Sequence, residues 1–256
     1  MQIQLVRHAT LLLEYAGMRL LVDPMLSDAG AMPAIENSPQ PRRNPLVPLP
    51  CPATDVVSGI QAVLVTHTHR DHWDDAAIQF VPKDLPLFCQ PEDLPKLEAV
   101  HFVNTVQVGH AKNWSNICIT RTGGQHGAGE IGRQMAPVSG YVLQNSGEPT
   151  LYIAGDTIWC DQVQGAIEQF KPEVIVVNAG GARFLQGGPI TMTAEDVVRV
   201  CHAAPHAQVI ADHMEAINHC LLTRAELSKA ARKAGVKVLI PEDGEIMIRS
   251  GDPVIG

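Results

Sequence analysis

The feature that most constrains this chain is a histidine- and aspartate-rich motif that directly follows an apolar segment. Residues 62–66 have the pattern of a buried strand, and the motif H-x-H-x-D-H occupies residues 67–72. Alternate residues of an extended segment point to one side, so His67 and His69 can address one position, and Asp71 and His72 a second. With 11 histidines in 256 residues, chance would produce this motif in roughly one chain in a thousand. We therefore expect a metal site at the end of this strand.

Further segments extend the motif into a pattern that resembles the metallo-β-lactamase superfamily. Apolar strands lead to Asp23 and to His213, a Gly-Gly-Gln segment precedes His126, and an Ala-Gly segment precedes Asp156. The resemblance implies an α/β fold, specifically a four-layer αββα sandwich. It covers most of the chain, and we expect residues 1–256 to form a single domain.

The resemblance also implies which side chains bind metal. One ion would be held by His67, His69 and His126. The other would be held by Asp71, His72 and His213. Asp156 would bridge the two ions, and Asp23 would orient a ligand histidine. Two such ions would share a hydroxide that acts as the nucleophile at neutral pH, so Asp71 and Asp156 are counted as catalytic residues.

Histidine nitrogens dominate this donor set, so we expect two Zn²⁺ ions, although Mn²⁺ and Fe²⁺ also accept nitrogen and oxygen ligands. The six cysteines are scattered without a C-x-x-C pair, so we expect neither disulfides nor a thiolate zinc site. His213 is preferred to His219 as the last ligand because it directly follows a strand. Glu215 and Asn218 are candidates for hydrogen bonding to a ligand.

The N-terminal residues resemble one branch of the superfamily. The sequence His-Ala-Thr at residues 8–10, followed by Asp-Pro at residues 23–24, is similar to the ascorbate-phosphate lactonases and the N-acylphosphatidylethanolamine phospholipase D enzymes. The branch implies hydrolysis of a small ester-like substrate, a lactone or a phosphodiester. His8 is a candidate catalytic residue, as a proton donor or substrate contact, although a structural histidine bonded to backbone is equally compatible with the sequence.

Two other functions are open. RNA-processing nucleases share the fold, but a formal charge of −8 and the lack of a basic arm make nucleic acid an unfavourable partner. A chain that bound metal without turnover would serve as a sensor or scaffold, but the complete ligand set favours an enzyme. An anionic small molecule stays compatible as substrate, because two divalent ions add positive charge locally.

Two segments are expected to shape the substrate site. Residues 25–52, the proline-rich loop, hold seven prolines, which neither a helix nor a central strand tolerates. This loop either overhangs the site or forms a surface excursion or oligomer contact, so a homo-oligomer is left open. Residues 180–188, the glycine-rich loop, follow a predicted strand and should lie on the same rim as the ligands.

Hydrophobic periodicity predicts the regular elements. Strands are expected at residues 3–6, 10–15, 18–22, 62–66, 116–120, 140–144, 151–154, 174–178, 208–211 and 236–240. Helices are expected at residues 161–170, 194–203 and 224–234, the second capped by Thr193 with Asp196. The longest apolar runs are strand-sized and the N-terminus lacks a signal-peptide pattern, so we expect a cytoplasmic protein without a membrane span.

Overall fold

The computed structural model describes residues 1–135 and 137–248, so residues 249–256 of the predicted domain lie outside the described part. Thirteen strands occur within that part. They are β1 (Gln2–Arg7), β2 (Thr10–Tyr15), β3 (Met18–Val22), β4 (Ala62–Val65), β5 (Leu87–Cys89), β6 (Thr105–Gln107), β7 (Ala111–Trp114), β8 (Ile117–Thr122), β9 (Gly140–Asn145), β10 (Glu148–Ile153), β11 (Val174–Asn178), β12 (Gln208–Asp212) and β13 (Ile246–Ile248).

Helices of four to eleven residues connect these strands. They are α1 (Ala53–Val56), α2 (Asp75–Phe80), α3 (Leu94–Ala99), α4 (Gly129–Gln134), α5 (Asp161–Phe170), α6 (Ala194–Ala203) and α7 (Arg224–Ala234). The three predicted helices are confirmed as α5, α6 and α7. At the start of α6, Thr193 Oγ1 accepts from Asp196 N and Asp196 Oδ2 accepts from Thr193 N, which is the predicted capping box.

The strands form two mixed sheets with helices on their outer faces, which confirms the predicted four layers. One sheet has the order β13-β1-β2-β3-β4-β5-β6 and the other β12-β11-β10-β9-β8-β7. Alternate apolar side chains, such as Leu11 and Leu13 on β2, enter the core between the sheets, and the buried Tyr15 hydroxyl donates to Leu143 O across it. The outer face of the second sheet packs against α5, α6 and α7.

The predicted strand at residues 236–240 is wrong. This segment makes a single bridge, between Leu239 and Ile210 of β12. Its alternating apolar residues, Val236, Val238 and Ile240, pack against the apolar layer beneath the helices, so their spacing reflects packing and not a strand ladder. Several short elements were also not predicted, namely α1 to α4, β5 to β7 and β13, because elements of three to six residues leave too few periods to detect.

The proline-rich loop carries little regular structure. Met32 and Asn44 form an isolated antiparallel bridge across it. The six cysteines are free thiols. None of the described helices combines the length and the apolar character that crossing a bilayer requires.

Candidate metal centre

The predicted site residues meet at one edge of the two sheets. Parallel pairing of β3 with β4, of β10 with β11, and of β11 with β12 directs the carboxyl ends of these strands to the same edge. The side chains there follow strand ends: His8 after β1, Asp23 after β3, residues 67–72 after β4, His126 after β8, Asp156 after β10 and His213 after β12. The fold therefore brings together residues that are up to 205 positions apart, counted from His8 to His213.

A first group of donor atoms comes from His67, His69 and His126. One ring nitrogen of each lies within 4.8 Å of the others, and His67 Nε2 lies 2.9 Å from His69 Nδ1. Burial lowers the pKa of all three imidazoles, that of His126 to about 4. The three rings are therefore neutral at neutral pH and can present lone pairs to a cation.

A second group comes from Asp71, His72 and His213, joined by His8. His72 Nε2 lies 3.2 Å from His213 Nε2, and His213 Nε2 lies 3.5 Å from Asp71 Oδ2. His8 Nε2 lies 3.2 Å from the same Asp71 oxygen. The ring of His8 also lies over the ring of His213, with centroids 3.6 Å apart. All four side chains are buried, so they form a compact group closed to bulk water.

Asp156 lies between the two groups and contacts both. Its Oδ2 is 3.4 Å from His126 Nε2 and 3.3 Å from His72 Nε2, while its Oδ1 is 3.2 Å from His213 Nε2. Asn178, at the end of β11, donates from Nδ2 to Asp156 Oδ1 at 2.7 Å. The carboxylate is therefore fixed in an orientation in which Oδ2 contacts both groups and Oδ1 contacts the second.

Hydrogen bonds on the outward side orient three of the histidines. His72 Nδ1 is 2.8 Å from Asp23 Oδ2, and His126 Nδ1 is 2.8 Å from Ile190 O. His213 Nδ1 is 3.5 Å from the Cys220 thiol sulfur. An outward N–H donated to such an oxygen leaves the inward nitrogen as a lone-pair donor, the arrangement that metal-binding histidines normally show.

Among the described residues, histidines are the groups that balance the charges of Asp71 and Asp156. Burial opposes ionisation of Asp71 and Asp156, but His72, His213 and other histidines outweigh it and hold the pKa of both carboxyls well below the usual value. The ion-pair partners of these two carboxylates are histidines. Buried carboxylates surrounded by imidazole nitrogens match the donor chemistry of a divalent cation.

The distances between donor atoms also fit a metal. Metal–nitrogen bonds of about 2.1 Å in a tetrahedral site place neighbouring donors about 3.4 Å apart. The contacts around Asp71 and His213, at 3.2 to 3.5 Å, are close to that value. The residues present therefore fit divalent metal, with Asp156 in contact with both donor groups.

Three residues of the site have left-handed backbone conformations. The φ angles are 61° at His8, 40° at Asp23 and 62° at His213. Each costs about 1 kcal/mol or more for a residue other than glycine. His213 N donates to His8 O at 2.9 Å, so two of these strained turns support each other. Strain retained at three positions of one cluster indicates that side-chain placement there has a function.

A cavity of about 410 Å³ opens beside His126 and is lined in part by glycines, Met135 and Val138. Met135 also belongs to an apolar cluster, which includes Met25, Met32, Ile35, Ile190, Ile217 and Phe184. Gly127, with φ 103°, lies between these two regions, and a side chain there would press on Ile190 and Ile131. One wall of the cavity is therefore continuous with apolar side chains.

Some residues of this region were not predicted to interact with the site. Asn178 is the polar last residue of an otherwise apolar strand, a signal that could have identified it. The thiol of Cys220 gave no such signal. Glu215 pairs with Arg224 at 2.6 Å, and Asn218 binds the proline-rich loop, so the partners that the structure gives these two candidates lie outside the cluster.

A protein-family model matches most of this chain. The model described as "Beta-lactamase superfamily domain" matches residues 18–214. This span contains the residues of both donor groups except His8.

Individual relatives match almost the whole chain. The UPF0173 protein YddR of Bacillus subtilis (strain 168) is 40% identical over 96% of this chain and 98% of its own length. The isothiocyanate hydrolase from Delia radicum gut bacteria is 41% identical over 97% of this chain and 99% of its own, with a TM-score of 0.92. A possible metal-dependent hydrolase from Veillonella parvula DSM 2008 is 33% identical over 96% and 98%, with a TM-score of 0.93.

Proposed function

The chain belongs to the beta-lactamase superfamily and to the UPF0173 family of metal-dependent hydrolases, and on this premise we propose that it hydrolyses small isothiocyanates at a centre of two divalent ions. The observation that carries the two-ion centre is the position of Asp156, whose Oδ2 lies near His126 of the first group and His72 of the second and whose Oδ1 lies near His213. Zinc is the metal we assign, because nitrogen donors prevail.

The proposed ligand set assigns His67, His69 and His126 to one ion. Asp71, His72 and His213 hold the other. Asp156 is shared, and Asp23 orients His72. Two ions held in this way would activate a water at neutral pH and polarise the bond under attack.

His8 acts in this proposal as a positioning residue for Asp71 and His213. Burial, followed by the proximity of His213, lowers the pKa of His8 to about 3. An imidazole with that pKa is neutral at neutral pH and is a poor proton donor. Its Nε2–H instead donates to Asp71 Oδ2, so the contact at 3.2 Å supports an orienting role.

The substrate assignment is supported by two independent observations. A relative 41% identical over nearly its full length is an isothiocyanate hydrolase. In addition, one wall of the cavity beside His126 is apolar and suits the hydrocarbon group of a small electrophile, while Gln125 and Arg133 supply polar groups to the same cavity. The guanidinium of the exposed Arg43 donates to the carbonyl oxygens of Gly30 and Ala31, so it is engaged within the proline-rich loop.

The reaction consumes only water. Water oxygen forms a bond to the central carbon of R–N=C=S and the nitrogen takes a proton, giving a thiocarbamic acid. Cleavage of its C–N bond, with a second proton transferred to nitrogen, releases the amine R–NH₂ and carbonyl sulfide. Orientation of the electrophile against the activated water, and exclusion of bulk water by the apolar wall, are the contributions of the chain itself.

An ester-like bond is the second candidate, in a lactone or a phosphodiester. The His-Ala-Thr sequence at residues 8–10 favours it, because it resembles the ascorbate-phosphate lactonase and phospholipase D branch. Thr10 of this sequence helps to build the site, since its hydroxyl donates to Asp23 O and accepts from Met25 N.

Cytoplasmic location and a homo-oligomeric state stay predictions from the sequence.

The test is a substrate panel with zinc-loaded protein. Amine release from allyl, benzyl and phenethyl isothiocyanate is compared with hydrolysis of aliphatic lactones, bis(4-nitrophenyl) phosphate and a short RNA. We expect amine release that exceeds every other rate and disappears in the Asp156→Asn variant. Faster lactone or phosphodiester hydrolysis would support the second candidate, RNA cleavage would support a nuclease, and no turnover by fully loaded protein would contradict an enzyme of either kind.

A further inference from the structure

The base of the proline-rich loop is anchored by one buried arginine. Arg7 lies at the end of β1, and its guanidinium donates to the carbonyl oxygens of Met25, Ser27 and Val47 at 2.8 to 3.0 Å. Burial lowers the pKa of Arg7 to about 10, which leaves it charged at neutral pH. Both ends of the loop are therefore fixed at the edge of the sheet that carries the metal centre.

The middle of the loop is anchored by Asn218, which approaches from the opposite side. Its Oδ1 accepts from Ile35 N at 2.9 Å and from Asn44 Nδ2 at 2.7 Å. Its Nδ2 donates to Ser38 Oγ at 2.5 Å and to Gln40 O at 2.6 Å. Its backbone N donates to Asn44 Oδ1 at 2.9 Å, so the two asparagines pair reciprocally.

These contacts use the whole hydrogen-bonding capacity of the Asn218 side chain. A primary amide offers two donor hydrogens and one acceptor oxygen, and each is bound to a different part of the loop. Asn218 and Asn44 are both buried, so water cannot replace a lost partner without reordering the loop. A fully satisfied buried network of this kind specifies one conformation of residues 35–44.

The segment that carries Asn218 also contacts the metal centre and the second loop. Two residues further on, the Cys220 thiol lies 3.5 Å from His213 Nδ1. The backbone oxygen of His219, the residue directly after Asn218, accepts from Arg183 N of the glycine-rich loop at 3.1 Å. Residues 216–222 therefore connect both loops to one of the candidate ligands.

Asn218 holds Ile35 of the loop against the apolar cluster whose Met135 lines the cavity beside His126. Ile35 is a half-buried member of the apolar cluster, and Met135 of the same cluster lines the cavity beside His126. Asn37 O accepts from Leu185 N at 2.6 Å, which joins the two loops to each other. A shift of residues 35–44 would therefore change the packing of the cluster that includes Met135, and with it one wall of the cavity.

We propose that Asn218 is a positioning residue that sets substrate selectivity, because its amide fixes residues 35–44 and thereby holds Ile35 in the apolar cluster behind the cavity beside His126. Within the described residues, its side-chain hydrogen bonds go to the loop and not to the proposed ligands, so we expect its effect on the fit of the substrate and not on metal binding. The selectivity part of this proposal rests on the proposed isothiocyanate hydrolysis. The rigidity part stands independently of it.

Rigidity is tested by limited trypsin digestion of the metal-loaded protein. Arg42 and Arg43 are exposed and lie within the segment, so cleavage after them reports how often this part of the loop opens. We expect at least about a tenfold faster cleavage there in Asn218→Ala and a smaller increase in Asn44→Ala. The matched control, Asn104→Ala, removes an exposed amide that donates to Asp84 O, and should cleave like wild type.

Selectivity is tested on the same variants with allyl and phenethyl isothiocyanate. We expect the ratio of kcat/KM for the two substrates to change at least about fivefold in Asn218→Ala, mainly through KM. The metal content should equal that of wild type. Thermal unfolding checks that each variant is folded. If Asn218→Ala does not fold, the cleavage rate and the substrate ratio of Asn44→Ala decide whether the proposal holds.

An unchanged cleavage rate in folded variants would overturn the proposal, and so would an unchanged substrate ratio. Loss of metal with the loop still protected would also overturn it, because Asn218 would then act on the centre. If wild type releases no amine from any isothiocyanate, the proposed function fails, while the cleavage rates still decide whether Asn218 holds the loop.

Discussion

His8 and Asp71, which are 63 residues apart in the chain, meet inside the cluster with His8 Nε2 3.2 Å from Asp71 Oδ2. The ring of His8 also covers that of His213 at a centroid distance of 3.6 Å. One residue of the β1–β2 turn therefore contacts two of the three proposed ligands of the second ion. Its own backbone is held in a left-handed conformation by the chain around it.

We predict that His8→Ala weakens binding of one ion and leaves the other. Loss of the contact frees Asp71 to rotate, and loss of such an outer hydrogen bond typically costs 10- to 100-fold in metal affinity. His8→Gln, whose amide can still donate, should restore most of the affinity. The measurement is competition of each variant with a chromophoric zinc chelator, with the exposed His206→Ala as control.

Wild-type affinity for both ions in His8→Ala would contradict this role. Failure of His8→Gln to bind better than His8→Ala would also contradict it, because that result indicates direct ligation of metal by His8.

Gly180 offers a test of how the glycine-rich loop supports the centre. A Cβ atom at Gly180 would overlap His213 O and lie 2.9 Å from Cys220 Sγ, whereas one at Gly188 would meet nothing within 4 Å. Gly180→Ala should therefore lower the free energy of unfolding by about 1 to 3 kcal/mol and weaken metal binding through His213. Gly188→Ala should stay within about 0.5 kcal/mol of wild type. Urea unfolding of the two variants checks this, and equal stabilities would refute it.

Asp212 predicts a pH dependence of stability in metal-free protein. Burial raises the pKa of this carboxyl to about 8, above the unfolded value of 3.8. Between these values the folded state binds the proton and the unfolded state releases it, so rising pH removes stability, by at most about 1.4 kcal/mol per pH unit. The loss begins near pH 4 and is complete above pH 8.

Asp212→Asn cannot titrate and should lack this contribution. Unfolding free energies are measured in urea with a chelator present. The value for Asp212→Asn minus the value for wild type should therefore increase from pH 5 to pH 8, because only wild type loses this contribution. A difference that is constant over this range would contradict a raised pKa for Asp212.

Local patterns in the sequence predicted much of the fold. The predicted helices coincide with α5, α6 and α7, because amphipathic segments of ten residues contain enough turns to detect. The alternating segment at residues 236–240 gave a wrong strand, since packing against helices produces the same spacing as a sheet. Periodicity reports burial and does not report which groups complete the backbone hydrogen bonds.

The site was predicted in part for a similar reason. The motif at residues 67–72 was visible as a local pattern, and its partners Asp23, His126, Asp156 and His213 were identified through the family resemblance. His8 and Asp71 are 63 residues apart in the chain, and Asn218 is up to 183 residues from its partners in the loop. Only the folded structure brings these residues together, so a local sequence pattern cannot predict the contacts. Asn218 was expected near a ligand, and it binds the loop instead.

The central claim is that Asp156 is shared by two ions, and metal titration of chelator-treated protein tests it most directly. Wild type should bind two zinc ions per chain, and Asp156→Ala should bind at most one and lose hydrolytic activity, because both donor groups lose a carboxylate oxygen. Binding of fewer than two ions by wild type, or two ions and unchanged turnover in Asp156→Ala, would contradict the account.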